Sequence, residues 1–202
     1  DCLDYPAEVE VPHRQMLGLL RHVPGIREAA LPPLASPSDL KYRNKIVLHV
    51  QRAGRDPARI GYYGDDNRTV VDIERCPLAC DAINFAWAAQ RDEARRKLEN
   101  GQRLTLRWTP ADGVASWVDQ ASEDAPMLTE ESSAGPLKVP LDGFYQVNTA
   151  VAAELVRQVR EWYARAAEES GTRHLLDLYC GVGVFALACA ALEARLEPIG
   201  SK

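Results

Sequence analysis

Residues 175–185 read Leu175-Leu176-Asp177-Leu178-Tyr179-Cys180-Gly181-Val182-Gly183-Val184-Phe185, and this stretch decides the fold. The apolar run Leu175, Leu176 and Leu178 brackets Asp177. It breaks at Gly181 and Gly183, then passes into the small apolar pattern Phe185-Ala186-Leu187-Ala188-Cys189-Ala190. That order predicts a buried strand, a tight glycine turn and the start of a helix. Two glycines two apart let a backbone approach a ligand closely, because neither carries a Cβ. The helix start behind them offers N–H groups without intrahelical partners. An α/β fold opens a nucleotide-shaped pocket in this way at the end of its first strand. The dinucleotide form Gly-x-Gly-x-x-Gly is met only in its looser version, since Ala186 holds the third position.

Upstream stands Gly143-Phe144-Tyr145-Gln146-Val147-Asn148. Asn148 is expected to cap a long helix reaching about Glu168. Val151, Leu155, Val159, Trp162 and Ala166 recur at helical spacing on its core face. Further back, Arg103 to Thr109 and Gly113 to Asp119 read as partner strands, Glu123 to Glu131 as an exposed acidic loop, and Leu137 to Leu141 as a short strand. Tyr42 to Gln51 alternates, with Ile46, Leu48 and Val50 on one face. Ile60 to Tyr63 and Thr69 to Ile73 follow it as an antiparallel meander. Pro77 to Leu98 reads as a helix with Pro77 in its first turn, Leu78, Ile83, Ala86 and Trp87 toward the core, and a solvated charged end from Arg91 to Glu99. Pro12 to Val23 reads as a short helix with Met16, Leu17, Leu19 and Leu20 on its apolar side, and Ala30 to Asp39 as a loop. Three regions result: 1–40, an N-terminal helix and linker; 41–141, an α+β region rich in antiparallel strands; and 142–202, the opening of an α/β domain.

The chain has 202 residues, 46% of them hydrophobic and 26% charged, which bounds it to a globular chain of one or two domains. No apolar run approaches the roughly 18 residues of a membrane span. No leader is visible at Asp1, so a cytoplasmic chain without a membrane partner is expected. Five cysteines, an odd number, argue for reduced thiols or metal ligands over a disulfide framework. A net charge of −5 is the wrong sign for unspecific polyanion binding. Within it, however, the meander concentrates Lys41, Arg43, Lys45, Arg52, Arg55, Arg59, Arg68 and Arg75. Two readings of that excess stand: a phosphate-contacting surface or a solvated sheet face.

The arrangement Asp177-x-x-Cys180-Gly181-x-Gly183-x-Phe185 resembles motif I of class I S-adenosylmethionine (SAM) methyltransferases, and more narrowly that of the RNA uracil-5-methyltransferases. Gly143 to Asn148 is similar to the Phe-x-Gln-Val-Asn signature that precedes the methyltransferase domain in the same family, and both occur in the family's order. The resemblance implies an antiparallel β-rich central domain followed by the start of a Rossmann-like methyltransferase domain. It implies SAM as cofactor, bound through Gln146, Asp177, Tyr179, Gly181, Gly183 and Val184, with Asp177 as the acid that orients the turn. RNA is the implied partner, rRNA ahead of tRNA. Tyr42-Arg43-Asn44-Lys45 is similar to the family's Tyr-Arg-x-Lys/Arg stretch, which assigns Arg43 and Lys45 to RNA contact.

Arg75-Cys76-Pro77-Leu78 resembles the family's central-domain Cys-Pro-Leu. In members with an iron–sulfur cluster this cysteine is the last of four thiolate ligands, and Cys2 is placed like the third. A [4Fe-4S] cluster held in part by Cys2 and Cys76 stands beside the reading of Cys76 as a packed thiol. The family's reaction needs a thiolate to add to C6 of uracil and a base to remove the C5 proton. In the family these come from a Ser-Cys-Asn/Asp-Pro loop and a glutamate far past motif I. Neither stands before Lys202, and Cys180 lies in the cofactor turn, so no catalytic residue is assigned. The chain is therefore expected to be a truncated member, inactive by itself. A non-catalytic RNA-binding fragment is the alternative. A nicotinamide oxidoreductase is a further one, for which Gln146 has no role.

Overall fold

The computed structural model describes residues 4–171 and 174–196. The chain divides into two compact units, Asp1–Asp39 and Leu40–Lys202.

The first unit holds α1 (Tyr5–Leu19) and the short α2 (Ile26–Ala29). The helix expected from Pro12 begins instead at Tyr5. Asp4 caps it, its Oδ1 accepting from the Ala7 N–H at 3.0 Å, and a proline, Pro6, stands in the first turn where its missing N–H costs nothing. Pro12 therefore lies inside a helix already started, where it removes one backbone donor. Tyr5 closes the unit locally, its hydroxyl donating to the Ser36 carbonyl at 3.1 Å.

The second unit is built on a five-stranded antiparallel sheet in the order β3-β2-β1-β4-β5. Its strands are β1 (Lys45–Gln51), β2 (Arg59–Tyr63), β3 (Val70–Asp72), β4 (Arg103–Thr109) and β5 (Gly113–Val118). The expected meander forms β1 to β3. After α3 (Asp81–Lys97) the chain returns on the other side of β1, pairing Ile46 with Leu106 and Leu48 with Leu104. β1 is thus central, and its alternation is read out directly: Ile46, Leu48 and Val50 are buried beside Ile60, Leu104 and Leu106, with Ile83 and Trp87 of α3 in the same core. The Trp87 indole N–H donates to the Ile73 carbonyl at 3.2 Å, so its one polar atom is satisfied inside. Where β2 meets β3 only glycine fits: a Cβ on Gly61 would stand 2.0 Å from the Val71 carbonyl oxygen.

α3 starts after Cys80, not at Pro77. The Asn84 side chain holds residues 76–80 in a turn, accepting from the Cys76 N–H and donating to the carbonyls of Cys76 and Ala79 at 3.0 Å each. The far end of α3 is not simply solvated. Arg91 pairs with Asp72 at 2.8 Å, and Arg95 donates to the Ala58 carbonyl at 3.0 Å.

The acidic stretch expected as an exposed loop is irregular only as far as residue 127; from there it forms strand β6 (Leu128–Ser132), paired with β7 (Gly135–Val139) as a hairpin. Glu130 is buried rather than exposed, because its carboxylate meets Arg107 of β4. Asp112 ties the hairpin to the β4–β5 turn, accepting from the Thr129 N–H at 2.6 Å and from the Thr109 hydroxyl at 2.9 Å. Those bonds hold its carboxyl below the usual carboxylate range.

The long helix α4 (Thr149–Ser170) is capped by Asn148, whose Oδ1 accepts from the Val151 N–H at 3.1 Å. Its expected core face is only partly covered. Val151 and Val159 are half-buried while Leu155, Trp162 and Ala166 are exposed; the buried residue is Val156, which was not on that face, and α5 (Val184–Leu196) packs against the helix. The buried strand expected at Leu175 to Leu178 does not form: Leu176 is 79% exposed and Leu178 69%. A strand needs a neighbour to take its backbone hydrogen bonds, and among the described residues none lies beside this segment. The glycine turn and the helix after it do form. No helix of the described residues is long and apolar enough to cross a membrane.

Candidate functional site

The turn at 178–183 is made by local bonds. Tyr179, Gly181 and Gly183 all take left-handed backbone angles, with φ of 59°, 57° and 74°. A β-carbon is disfavoured there, which accounts for the two glycines, while Tyr179 carries the strain of a side chain in that region. Gly183 N–H donates to the Cys180 carbonyl at 2.8 Å, and Leu187 N–H to the Gly183 carbonyl at 2.9 Å. The first turn of α5 leaves amides without helical partners, and Asp177 Oδ2 accepts one of them, Ala186 N–H, at 3.2 Å. Asp177 thus orients the turn. Cys180 is exposed. Cys189 is buried, and burial pushes its thiol up.

This turn is one wall of a cavity of about 370 Å³. Gln146, Asp177, Tyr179, Gly181 and Val184 line it; Gly183, the sixth residue chosen on sequence, belongs to the turn but not to the lining. The opposite wall is the signature segment Phe144 to Gln146 with Glu131 to Ser133 from the β6–β7 hairpin, and Leu155 and Val156 of α4 complete it. The volume suits a small-molecule ligand, with an apolar lining and a few placed polar groups. Tyr145 links the two pieces of the opposite wall, its hydroxyl donating to the Glu131 carbonyl at 3.3 Å. Burial, then the nearby Glu130 carboxylate, pushes the Tyr145 phenol up.

The signature segment is also fastened to the sheet. Asn44 N–H donates to the Val147 carbonyl at 3.0 Å, and Arg43 bridges Asn148. On its other side Arg43 N–H donates to the Leu78 carbonyl at 2.8 Å and its own carbonyl accepts from Cys80 N–H at 2.9 Å. Three separate sequence motifs, at 42–45, 76–78 and 146–148, therefore meet along one short run of backbone. The Arg43 Nε is buried with no hydrogen-bond partner in the structure. Lys45 stands 5.6 Å from the centre of the Trp117 ring, a cation–π distance. Burial, then Arg107, lowers its ammonium, and Asp142 partly opposes them.

Cys76 is buried, and the Tyr62 hydroxyl donates to its sulfur at 3.4 Å. Cys80 is half-buried, and burial pushes its thiol up. Cys2 lies outside the described residues. Among the described residues no three His, Cys, Asp or Glu side chains gather as metal ligands. The buried pair of Arg107 and Glu130 was missed on sequence. A charged residue on an alternating strand and another in an acidic run carry no local sign that they pair.

The glycine turn and the Phe144 to Gln146 segment thus share one cavity. Comparison with known proteins makes the resemblance specific: curated homologues of this chain are RNA uracil-C5 methyltransferases. It is 42% identical over 203 residues to the 23S rRNA (uracil(747)-C(5))-methyltransferase of Shewanella putrefaciens, covering 98% of this chain and 45% of that protein. It is 25% identical over 166 residues to the tRNA (uracil(54)-C(5))-methyltransferase of Schizosaccharomyces pombe, covering 78% of this chain and 31% of that one. The fold matches that of the Pyrococcus abyssi tRNA (uracil-54, C5)-methyltransferase, solved with S-adenosyl-L-homocysteine. The TM-score is 0.62 and the identity 17%, over 94% of this chain and 55% of that one. The chain spans about half the length of the curated relatives it matches, 48% of an RNA methyltransferase of Thermosynechococcus vestitus for example. No family model matches the chain.

Proposed function

We propose that this chain is the central region and the opening of the cofactor domain of a SAM-dependent RNA uracil-C5 methyltransferase, with rRNA ahead of tRNA as substrate. The observation that carries it is the convergence of Gln146, Asp177, Tyr179, Gly181 and Val184 on one cavity. The residues suit the cofactor. The Gln146 amide offers both a donor and an acceptor to a polar ligand, and the left-handed turn presents backbone free of Cβ at Gly181. Phe144, Tyr179 and Phe185 supply flat apolar surface for a purine ring. When bound, the cofactor supplies an electrophilic methyl group. This chain's residues hold and orient it, and Arg43 and Lys45 contact RNA phosphate beside it. The 202 residues do not methylate by themselves, because none of the five cysteines stands in a Ser-Cys-Asn/Asp-Pro loop.

Calorimetric titration with S-adenosylhomocysteine (SAH) and with NADH tests the reading. SAH is expected to bind, NADH not. Gln146→Ala is expected to weaken SAH about tenfold, one hydrogen bond's worth. Binding of NADH in place of SAH, or an unchanged affinity in Gln146→Ala, refutes it.

A further inference from the structure

Arg107 is buried on β4 and takes no part in the cavity lining. Its Nε and Nη2 both donate to one oxygen of Glu130, at 3.1 and 2.7 Å, and each side chain is 1% exposed. Its Nη1 points into the turn that follows β7. There it donates to the carbonyls of Gly143 at 2.9 Å, Leu141 at 3.2 Å and Pro140 at 3.3 Å. Two N–H groups are shared among three acceptors, so the guanidinium is a fork set into a ring of backbone oxygens. The same turn is closed by Gly143 N–H donating to the Pro140 carbonyl at 2.9 Å. It admits no side chain easily at its last position, since a Cβ on Gly143 would lie 3.0 Å from Pro140.

Stability does not account for this arrangement. Withdrawing two charges from water costs several kcal/mol per ion, and a well-packed apolar pair of similar volume usually does as well or better. An apolar pair cannot hold three carbonyls in register. The residues directly after the held turn are Phe144, Tyr145 and Gln146, all of them in the cavity wall. Glu130 precedes Glu131, Ser132 and Ser133 on the hairpin, which line the same wall. Arg107 thus joins, from behind, the two backbone segments that make up one side of the cavity.

We propose that Arg107 is a positioning residue. Through Glu130 on one side and the Pro140, Leu141 and Gly143 carbonyls on the other, it fixes where Gln146 stands in the cavity and so sets the affinity for the cofactor. This deepens the proposed function and rests on it for the cofactor's identity. The geometric part, that the fork immobilises residues 144–146, is independent of that identity.

The test uses the intact protein, with an Arg107→Met, Glu130→Leu double variant that removes the pair without stranding a buried charge. Two quantities are read: hydrogen exchange of the Phe144 to Val147 amides without ligand, and SAH affinity by calorimetry. The double variant is expected to unfold at a urea midpoint close to the native one. Its 144–147 amides are expected to exchange at least about tenfold faster and its SAH affinity to fall about tenfold. Gln146→Ala, costly in the native background, is expected to cost less than about twofold in the double variant, since residues acting as one unit do not add. Full additivity would mean that Arg107 does not act through Gln146, and would overturn the proposal. So would unchanged exchange at 144–147. If the double variant does not fold, Arg107→Lys keeps the charge beside Glu130 but loses the fork, and the same two readouts decide. A native protein that fails to bind SAH refutes the cofactor reading, while exchange at 144–147 still decides the positioning.

Discussion

Arg52 separates the two readings of the basic meander. On sequence it is one of eight cations that could face phosphate. In the structure its guanidinium is spent on the C-terminal end of α3. Nε donates to the Leu98 carbonyl at 3.0 Å and Nη2 to those of Arg95 and Arg96 at 2.6 and 3.0 Å, while Nη1 reaches Asp56 at 3.0 Å. The last carbonyls of a helix have no intrahelical partner and carry its negative end, so a cation there both bonds and neutralises. Arg52→Met keeps the aliphatic stem and removes all four bonds. Water replaces the two exposed ones at little cost. The two half-buried ones, to Leu98 and Arg95, are worth about 1 kcal/mol each, and loss of the charge at the helix end adds about 0.5 kcal/mol. The sum, about 2.5 kcal/mol, corresponds to a fall in Tm of about 5–10 °C for a domain of this size. Urea unfolding measures the stability, and filter binding to unmodified RNA across a salt series measures the contact. Arg52→Met is expected to lose that stability while the salt slope of RNA binding stays unchanged. Lys45→Met, at Trp117, is expected to lose less than about 1 kcal/mol of stability and to flatten the slope by about one. An Arg52→Met protein that is as stable as the native one and flattens the slope refutes the reasoning.

Trp87, fully buried at the centre of the core, is expected to cost about 3–5 kcal/mol on Trp87→Ala, read by urea unfolding. Burial, then the contact with Cys76, raises the Tyr62 phenol well above its ordinary value. The folded state therefore favours the neutral phenol. The associated stability is complete below the ordinary tyrosine pKa of about 10 and is lost as pH rises beyond it. Tyr62→Phe is expected to flatten the alkaline arm of a stability–pH curve and to leave the curve below about pH 9 unaltered in shape. An alkaline arm as steep as the native one would assign that lability elsewhere. Asp177→Asn keeps an acceptor for the Ala186 N–H and is expected to hold SAH nearly as well as the native protein, whereas Asp177→Ala speeds exchange of the Ala186 amide and weakens binding. Equal losses in the two would mean that the carboxylate meets the ligand itself.

Where a feature rests on neighbours in sequence, it was legible. The two-residue period at Ile46, Leu48 and Val50 fixed the buried face of β1, and Ile83 with Trp87 fixed that of α3. Asn148 was readable as a cap because the acceptor lies three residues from its donor. The turn at Gly181 and Gly183 was readable because left-handed backbone leaves glycines behind, whereas Gln146 and Tyr179 were chosen from the family resemblance. What could not be read depends on partners far along the chain. Glu130 sits in an acidic run whose composition says loop, and Arg107, 23 residues away, turns it into a buried strand residue. Arg52 looks like any surface cation until the end of α3 comes to it across more than 40 residues. Trp162 shows the converse: helical spacing says which face is apolar, not what covers it.

The segment at 175–183 carries the same lesson into the site. Its turn needs only bonds within ten residues, from Cys180, Gly183 and Asp177, and it forms. Its strand needs a ladder and does not form among the described residues. The two sides of the cavity are consequently held by different means. The Gln146 side is tied into the sheet through Asn44, and the turn before it takes bonds from Arg107 at three carbonyls. The glycine side is held by its own short-range bonds and by α5 against α4. A ligand that touches both must accept the Gln146 side as it stands and bears whatever ordering the glycine side still requires. Binding should therefore tighten when the 175–178 backbone gains a pairing strand. Protection of the Leu176 to Leu178 amides on adding SAH, larger than any change at 144–147, is the signature that this asymmetry leaves.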